Sequence, residues 1–279
     1  MDRYSGRILP LKELLERLDP RLPLLTGGAR DLPARQQTLR ATLEWSVELL
    51  DGDERRDLLQ LSVFVGGCTL EAAEAVTGTT IERLASLLDH NLLYRTTTTD
   101  DTGYAMLQTI REYAQEQLDE STEADDIRRR HAQFFLTIAE SANLNLPTLD
   151  RARPIRYDIA MREQDEIRAA LAWTLESRSV ALGLRLATAA GGWLWTINNP
   201  REGLQWFERV LETPDADAVA PEIRAEALLQ YGAMAALART TERKRCTPRA
   251  SRCSNNSATS TVAPCCSTAS GLRPCGTGN

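Results

Sequence analysis

Lysine is nearly absent from this 279-residue chain: of 33 basic residues only Lys12 and Lys244 are lysines, a bias that fits GC-rich coding better than any physical demand. The scarcity still excludes something. A phosphate-cradling glycine loop ends in Gly-Lys-Ser or Gly-Lys-Thr, so that backbone N–H groups and the lysine surround the phosphates. Lys12 stands between Leu11 and Glu13, and Lys244 between Arg243 and Arg245, so this sequence holds no such loop. Histidine is equally scarce. His90 and His131 are the only two, and neither has a Cys, Asp or Glu partner at ligand spacing joined to a second matching motif. Residues 1–241 contain one cysteine, Cys68, while the other five crowd into residues 246–275 at irregular spacing, unlike a disulfide framework or a zinc site. No run of eighteen apolar residues occurs, and the first twenty residues lack the layout of an export signal. These absences predict a cytoplasmic, non-enzymatic chain with no cofactor, no metal and no membrane partner.

The formal net charge of −6 is unevenly spread. Residues 242–279 hold six basic groups against Glu242 alone, which leaves −11 for residues 1–241. An acidic body disfavours broad binding to nucleic acid or to anionic membranes.

Helical periodicity begins early, with Leu11, Leu14, Leu15 and Leu18 on one face before Pro20 and Pro23 end the run. It returns at Leu39, Leu43, Val47 and Leu50. Asp51 followed by Glu54 has capping-box spacing for a helix carrying Leu58, Leu61 and Phe64, which Gly66-Gly67 breaks. Thr69 can cap a short helix through Val76, and Thr79 with Glu82 marks another with Ile81, Leu84, Leu87 and Leu88. Residues 92–96 and 103–107 then read as short β-compatible runs around a Thr- and Asp-rich turn. Helices followed by such a hairpin predict a winged helix-turn-helix, closed by a helix with Ile110, Tyr113, Ala114 and Leu118.

From residue 123 onward the pattern is helical throughout. Ile127, His131, Phe134, Phe135 and Ile138 form one stripe, and Ile159, Ile167, Ala170 and Leu171 another. Residues 182–197 are apolar nearly all round, 201–211 are amphipathic, and 222–238 resume with Ala227, Leu228, Gly232 and Ala235. Paired helices with small residues, recurring at roughly 40 residues, suggest a tetratricopeptide-like array. Beyond residue 241 only Val262 and Leu272 are large aliphatics, too few to offset an ordering cost of about 1–2 kcal/mol per residue. The predicted fold class is therefore mainly α. Residues 1–35 read as a linker and the remnant of an upstream helical module. A winged helix-turn-helix domain follows over 36–120, a truncated helical repeat array over 121–241, and a disordered tail with the composition of a shifted reading frame over 242–279. Residues 36–118 are expected to be the independently stable unit.

Four stretches carry a family resemblance: residues 36–50 (QQTLRATLEWSVELL), 61–73 (LSVFVGGCTLEAA), 106–114 (MLQTIREYA) and 167–173 (IRAALAW). Together they resemble the large bacterial signal-transduction ATPases of the STAND class with an NB-ARC-type module, many of them LuxR- or SARP-type transcriptional regulators. Val47 stands where that family usually has Tyr, and Cys68 where Phe is common. The resemblance implies a winged helix followed by a helical-repeat sensor arm, both lying after an ATPase core that would be upstream. It also aligns Met106, Leu107 and Gln108 with a Met-His-Asp stretch that touches nucleotide in related eukaryotic proteins. Leu107 replaces the histidine, and the apolar pattern alone favours an inward-packed strand end there.

Candidate DNA contacts are Arg83 and Arg95, in the stretch 79–103 that a winged helix would present to the major groove. Glu82, Asp89, Asp100 and Asp101 oppose them, a charge deficit that favours a packing role. His131 and His90 read as packing or surface residues, and the pairs Asp125-Asp126 and Asp165-Glu166 as solvated faces. Trp193, Trp195, Trp206 and Phe207 could line a groove, although core packing suits them better. The expected function is a non-catalytic regulator segment that contacts an upstream ATPase module or another protein. The alternative is a DNA-binding winged-helix transcription factor.

Overall fold

A computed structural model describes residues 39–97, 102–142, 161–191, Trp195 and 199–253. The early helix around Leu11–Leu18, the linker up to residue 35, Trp193 and residues 254–279 lie outside the described residues.

Local chemistry sets the helix starts of the winged helix. Helix α1 (Leu39–Glu48) leads into α2 (Gly52–Leu61), whose Asp51 cap accepts from the Glu54 N–H at 2.8 Å while Glu54 accepts from the Asp51 N–H at 3.1 Å. That reciprocal box satisfies two of the donors a helix start leaves free. Thr69 caps α3 (Leu70–Thr77), which ends on Gly78 at φ +73°. Helix α4 (Ile81–Asp89) is capped by Thr80 rather than Thr79. Thr79 is buried, and its hydroxyl donates to Asp57.

Strands β2 (Tyr94–Thr97) and β3 (Thr102–Ala105) form the expected hairpin, with Tyr94 opposite Ala105 and Thr97 opposite Thr102. A third strand was not foreseen: β1 (Cys68–Thr69) pairs with β3, giving the order β1-β3-β2. Two residues are too short to show a period. Its approach depends on Gly67 at φ +100°, where a Cβ would stand 2.7 Å from the Tyr104 carbonyl oxygen. Helix α5 (Gln108–Asp119) closes the domain and packs on α1, with Arg40 Nη1 2.8 Å from Glu116. Leu58, Leu84 and Leu87 are fully buried at its centre, each stabilising by about 1.5–3 kcal/mol.

Helices α6 (Ala124–Ala142), α7 (Gln164–Glu176), α8 (Val180–Ala190), α9 (Pro200–Leu211), a 3-10 turn (Pro214–Ala218) and α10 (Pro221–Cys253) make up the arm. Helix α8 packs against α6, α7 and α9 and buries eight of its residues, which explains a sequence that is apolar on every side. The contacts are close. A Cβ on Gly183 would lie 2.8 Å from Thr174 Oγ1, and one on Gly203 would lie 2.7 Å from Trp195 Cβ.

Two expectations about boundaries change. Helix α6 packs against α3, and Phe64 of the winged helix meets Phe135 of α6 at 6.3 Å between ring centroids. The described part of residues 36–118 therefore shares a hydrophobic core with the arm instead of enclosing its own. Order was also expected to cease at residue 241, whereas α10 continues to Cys253. Ala, Arg, Glu and Lys dominate residues 235–245, and such residues keep a helix going at little intrinsic cost even without an apolar face.

Candidate functional site

The recognition position of the winged helix is occupied by α4, and its basic residue is already committed. Arg83 Nε lies 2.6 Å from Asp57 Oδ2, and an Nη donates to the Gly78 carbonyl at 2.9 Å. Asp57 sits almost fully buried on α2 and also accepts from Thr79. The buried carboxylate offsets the charge of this guanidinium, and together with the backbone carbonyl it engages two of the five donors. The rest of the exposed side of α4 offers Ile81, 51% exposed, together with Glu82, Asp89 and His90. Ile81 thus leaves the apolar stripe to which periodicity assigned it. Arg95 on β2 is exposed and free of any ion pair among the described residues. The two candidate DNA contacts are therefore unlike: one is structural and the other is available.

Met106, Leu107 and Gln108 bridge β3 and α5. Met106 is half-buried against the core, and Gln108 donates to Glu112 at 2.9 Å while accepting from Arg111. Leu107, expected to pack inward, is 56% exposed. It is the N-cap residue of α5, and at a helix start the side chain diverges from the buried stripe that Ile110 and Leu118 define.

The largest departure from sequence expectation lies where the winged helix meets the arm. His131 on α6, read as a packing or surface residue, is 3% exposed and does pack, but Glu166 on α7, read as a solvated acid, is 2% exposed and bonded to it. His131 Nε2 is 2.9 Å from Glu166 Oε2, and the Gly66 N–H donates to Glu166 Oε1 at 2.6 Å. One carboxylate thus ties the loop after α2 to two arm helices. Phe64 and Phe135 flank the imidazole, with centroids 5.3 and 4.7 Å from it. Burial and then the Glu166 charge raise the Glu163 carboxyl to about 7. Burial, followed by the same two carboxylates, pushes the thiol of half-buried Cys68 far above its ordinary range, so this cysteine stays protonated against the core. The members of the junction lie 35 and 100 residues apart, and no sequence spacing could have joined them.

The other candidates follow their bland readings. Trp195 and Phe207 are fully buried and meet at 6.4 Å, which makes them core, while Arg209 stacks over the half-buried Trp206 at 4.8 Å. Asp125, Asp126 and Asp165 are exposed, as expected. Among the described residues no group of three His, Cys, Asp or Glu side chains could hold a metal ion. No described helix is long and apolar enough to cross a membrane.

Comparison with known proteins converges on the same domain. Residues 50–119 match the family described as "Winged helix-turn-helix domain". The chain is 36% identical over 225 residues to proteins of Mycobacterium bovis and Mycobacterium tuberculosis named as HTH-type transcriptional regulators, covering 77% of this chain and 25% of each relative. It is 38% identical over 131 residues to an uncharacterized protein of Mycobacterium bovis, covering 44% of this chain and 33% of that one. The chain spans about a quarter to a third of the length of these relatives. It contains a winged helix-turn-helix domain and is homologous to proteins named as transcriptional regulators.

Proposed function

We propose that this chain is a non-catalytic regulatory segment of a STAND-type, LuxR- or SARP-like transcriptional regulator, acting through protein–protein or intramolecular contacts. In this reading its winged helix is a packing module between an NB-ARC-type ATPase on the N-terminal side and a tetratricopeptide-like arm. The observation that carries it is the fate of Arg83. The cation best placed to reach DNA is held by buried Asp57, and the exposed face around it bears Glu82, Asp89 and Ile81. Sequence-specific readers neutralise roughly 6–10 phosphates, and this face has no comparable supply of donors. The close helix contacts at Gly183 and Gly203 support the repeat-array part of the reading, since small residues at helix contacts are what stacked helix pairs need.

Exposed, unpaired Arg95 on the hairpin favours a second reading, a winged-helix factor that touches DNA through its wing. A fluorescence-polarisation titration of the full chain against mixed-sequence duplex at about 50 mM salt separates the two. No binding under those permissive conditions is the expected result. Salt-dependent binding that Arg95→Ala abolishes would replace the proposal with the second reading.

A further inference from the structure

Helix α10 has two apolar sides, and only one of them packs against described residues. Ile223, Ala227, Tyr231 and Met234 turn toward the arm, where Phe207 meets Tyr231 at 6.3 Å between ring centroids and Met234 fills the space beside Gly191 and Gly203. On the other side Ala225, Leu229, Gly232 and Ala236 recur at helical spacing and are all exposed, Leu229 by 74%, with Leu228 beside them at 47%. No charged residue occurs from Ala227 to Ala238, and a helix that is apolar all round belongs inside a core. Gly232 is a separate sign of a missing neighbour. Glycine weakens a helix relative to alanine, yet a Cβ here would meet nothing within 4 Å, so no described residue requires it. What it does is leave bare backbone on the exposed side, where a second helix can approach closely. The charges that bound the face have opposite signs at its two ends. Glu226 stands before it and Arg239 after it, both exposed and without an ion-pair partner among the described residues.

We infer that this face binds a second copy of the chain, with the two α10 helices antiparallel across a two-fold axis. Gly232 then stands opposite Ala233 of the other copy, Leu229 opposite Ala236, and Glu226 opposite Arg239, each pairing made twice by the symmetry. Leu229 enters the room that the small residues leave. A parallel arrangement would set Glu226 against Glu226 and Arg239 against Arg239, so the charges select the antiparallel one. Residues 242–279 hold only Val262 and Leu272 as large aliphatics and supply no apolar stripe to line this face. The contact stands whether or not the winged helix reads DNA.

Sedimentation velocity of the full chain across a concentration series tests this. One pair of helix faces lies at the small end of specific interfaces, below about 1,200 Å2, so a monomer–dimer equilibrium with a Kd of about 10–100 µM is expected. Leu229→Glu, in a chain still folded by circular dichroism, should weaken it about tenfold or more, because a carboxylate would be enclosed in the contact. Leu49→Glu, at an exposed leucine of the winged helix, should leave it unchanged. Glu226→Arg and Arg239→Glu should each weaken self-association about threefold or more by setting like charges opposite one another. An equimolar mixture of those two variants should dimerise as the parent does, since each copy then meets its opposite. The two positions lie about 20 Å apart along one helix, so no effect within a single chain mimics that rescue. A chain still monomeric at about 500 µM overturns the inference, whether another protein or the Leu11–Leu18 stretch covers the face. Dimerisation indifferent to Leu229→Glu, or a mixture no stronger than its components, also overturns it.

Discussion

Replacing Glu166 with Ala should destabilise the protein by about 1–3 kcal/mol, a sizeable fraction of the 5–15 kcal/mol that typically holds a domain folded. The carboxylate is 2% exposed and accepts from the Gly66 N–H at 2.6 Å and from His131 at 2.9 Å. Its removal leaves the buried His131 Nε2 without an acceptor, at about 1–3 kcal/mol, whereas the N–H of exposed Gly66 can turn to water and part of the cost of burying a charge is relieved. Glu166→Gln should cost much less. Its amide oxygen can still accept from Gly66, and its NH2 can donate to Nε2 once the imidazole proton shifts to Nδ1. Urea unfolding at neutral pH, followed by far-ultraviolet circular dichroism, gives both values from midpoint and slope. Amide exchange at Gly66 should accelerate in the Ala variant before the far side of the winged helix responds. An Ala variant within about 0.5 kcal/mol of the parent would refute the reasoning, since that is the range of ordinary surface substitutions.

Titration of Glu163 gives the junction a pH dependence. Its carboxyl is raised from 4.5 to about 7, so the native state holds the proton more tightly than the unfolded chain does between those values. Stability should therefore fall by roughly 2–3 kcal/mol as pH rises from about 4.5 to about 7 and level off above that, and Glu163→Gln should remove the slope; unfolding at pH 5 and pH 8 checks both. Leu58→Ala, at a fully buried site, should cost about 2–5 kcal/mol by the same urea assay. Arg83→Ala should cost about 2–4 kcal/mol, because buried Asp57 loses its cation, whereas Arg95→Ala should stay within about 0.5 kcal/mol. Limited proteolysis should leave a fragment extending past α6 instead of one ending near residue 118, because α3 and α6 pack together.

Much of what depends on residues near one another in the chain was legible from the sequence. Asp51 with Glu54 marked the start of α2, Thr69 that of α3, and the apolar run of α8 announced a helix surrounded by others. The four family-like stretches and the hairpin pattern pointed to the winged helix that residues 50–119 match. Composition could not assign Arg83, since a guanidinium on a recognition helix reads identically whether it faces DNA or a buried Asp57 contributed by another helix. Nor could it assign Leu107, whose exposure follows from where α5 begins. The junction was the least visible of all. Glu166 beside Asp165 looks like any solvated acidic pair until α7 is laid on α6, which brings His131 to one carboxylate oxygen and Gly66 to the other. Periodicity is a local property that tells which face of a helix is apolar. Which polar group that face encloses is decided only when helices from distant parts of the chain meet, because burial and hydrogen bonding are properties of the assembled core.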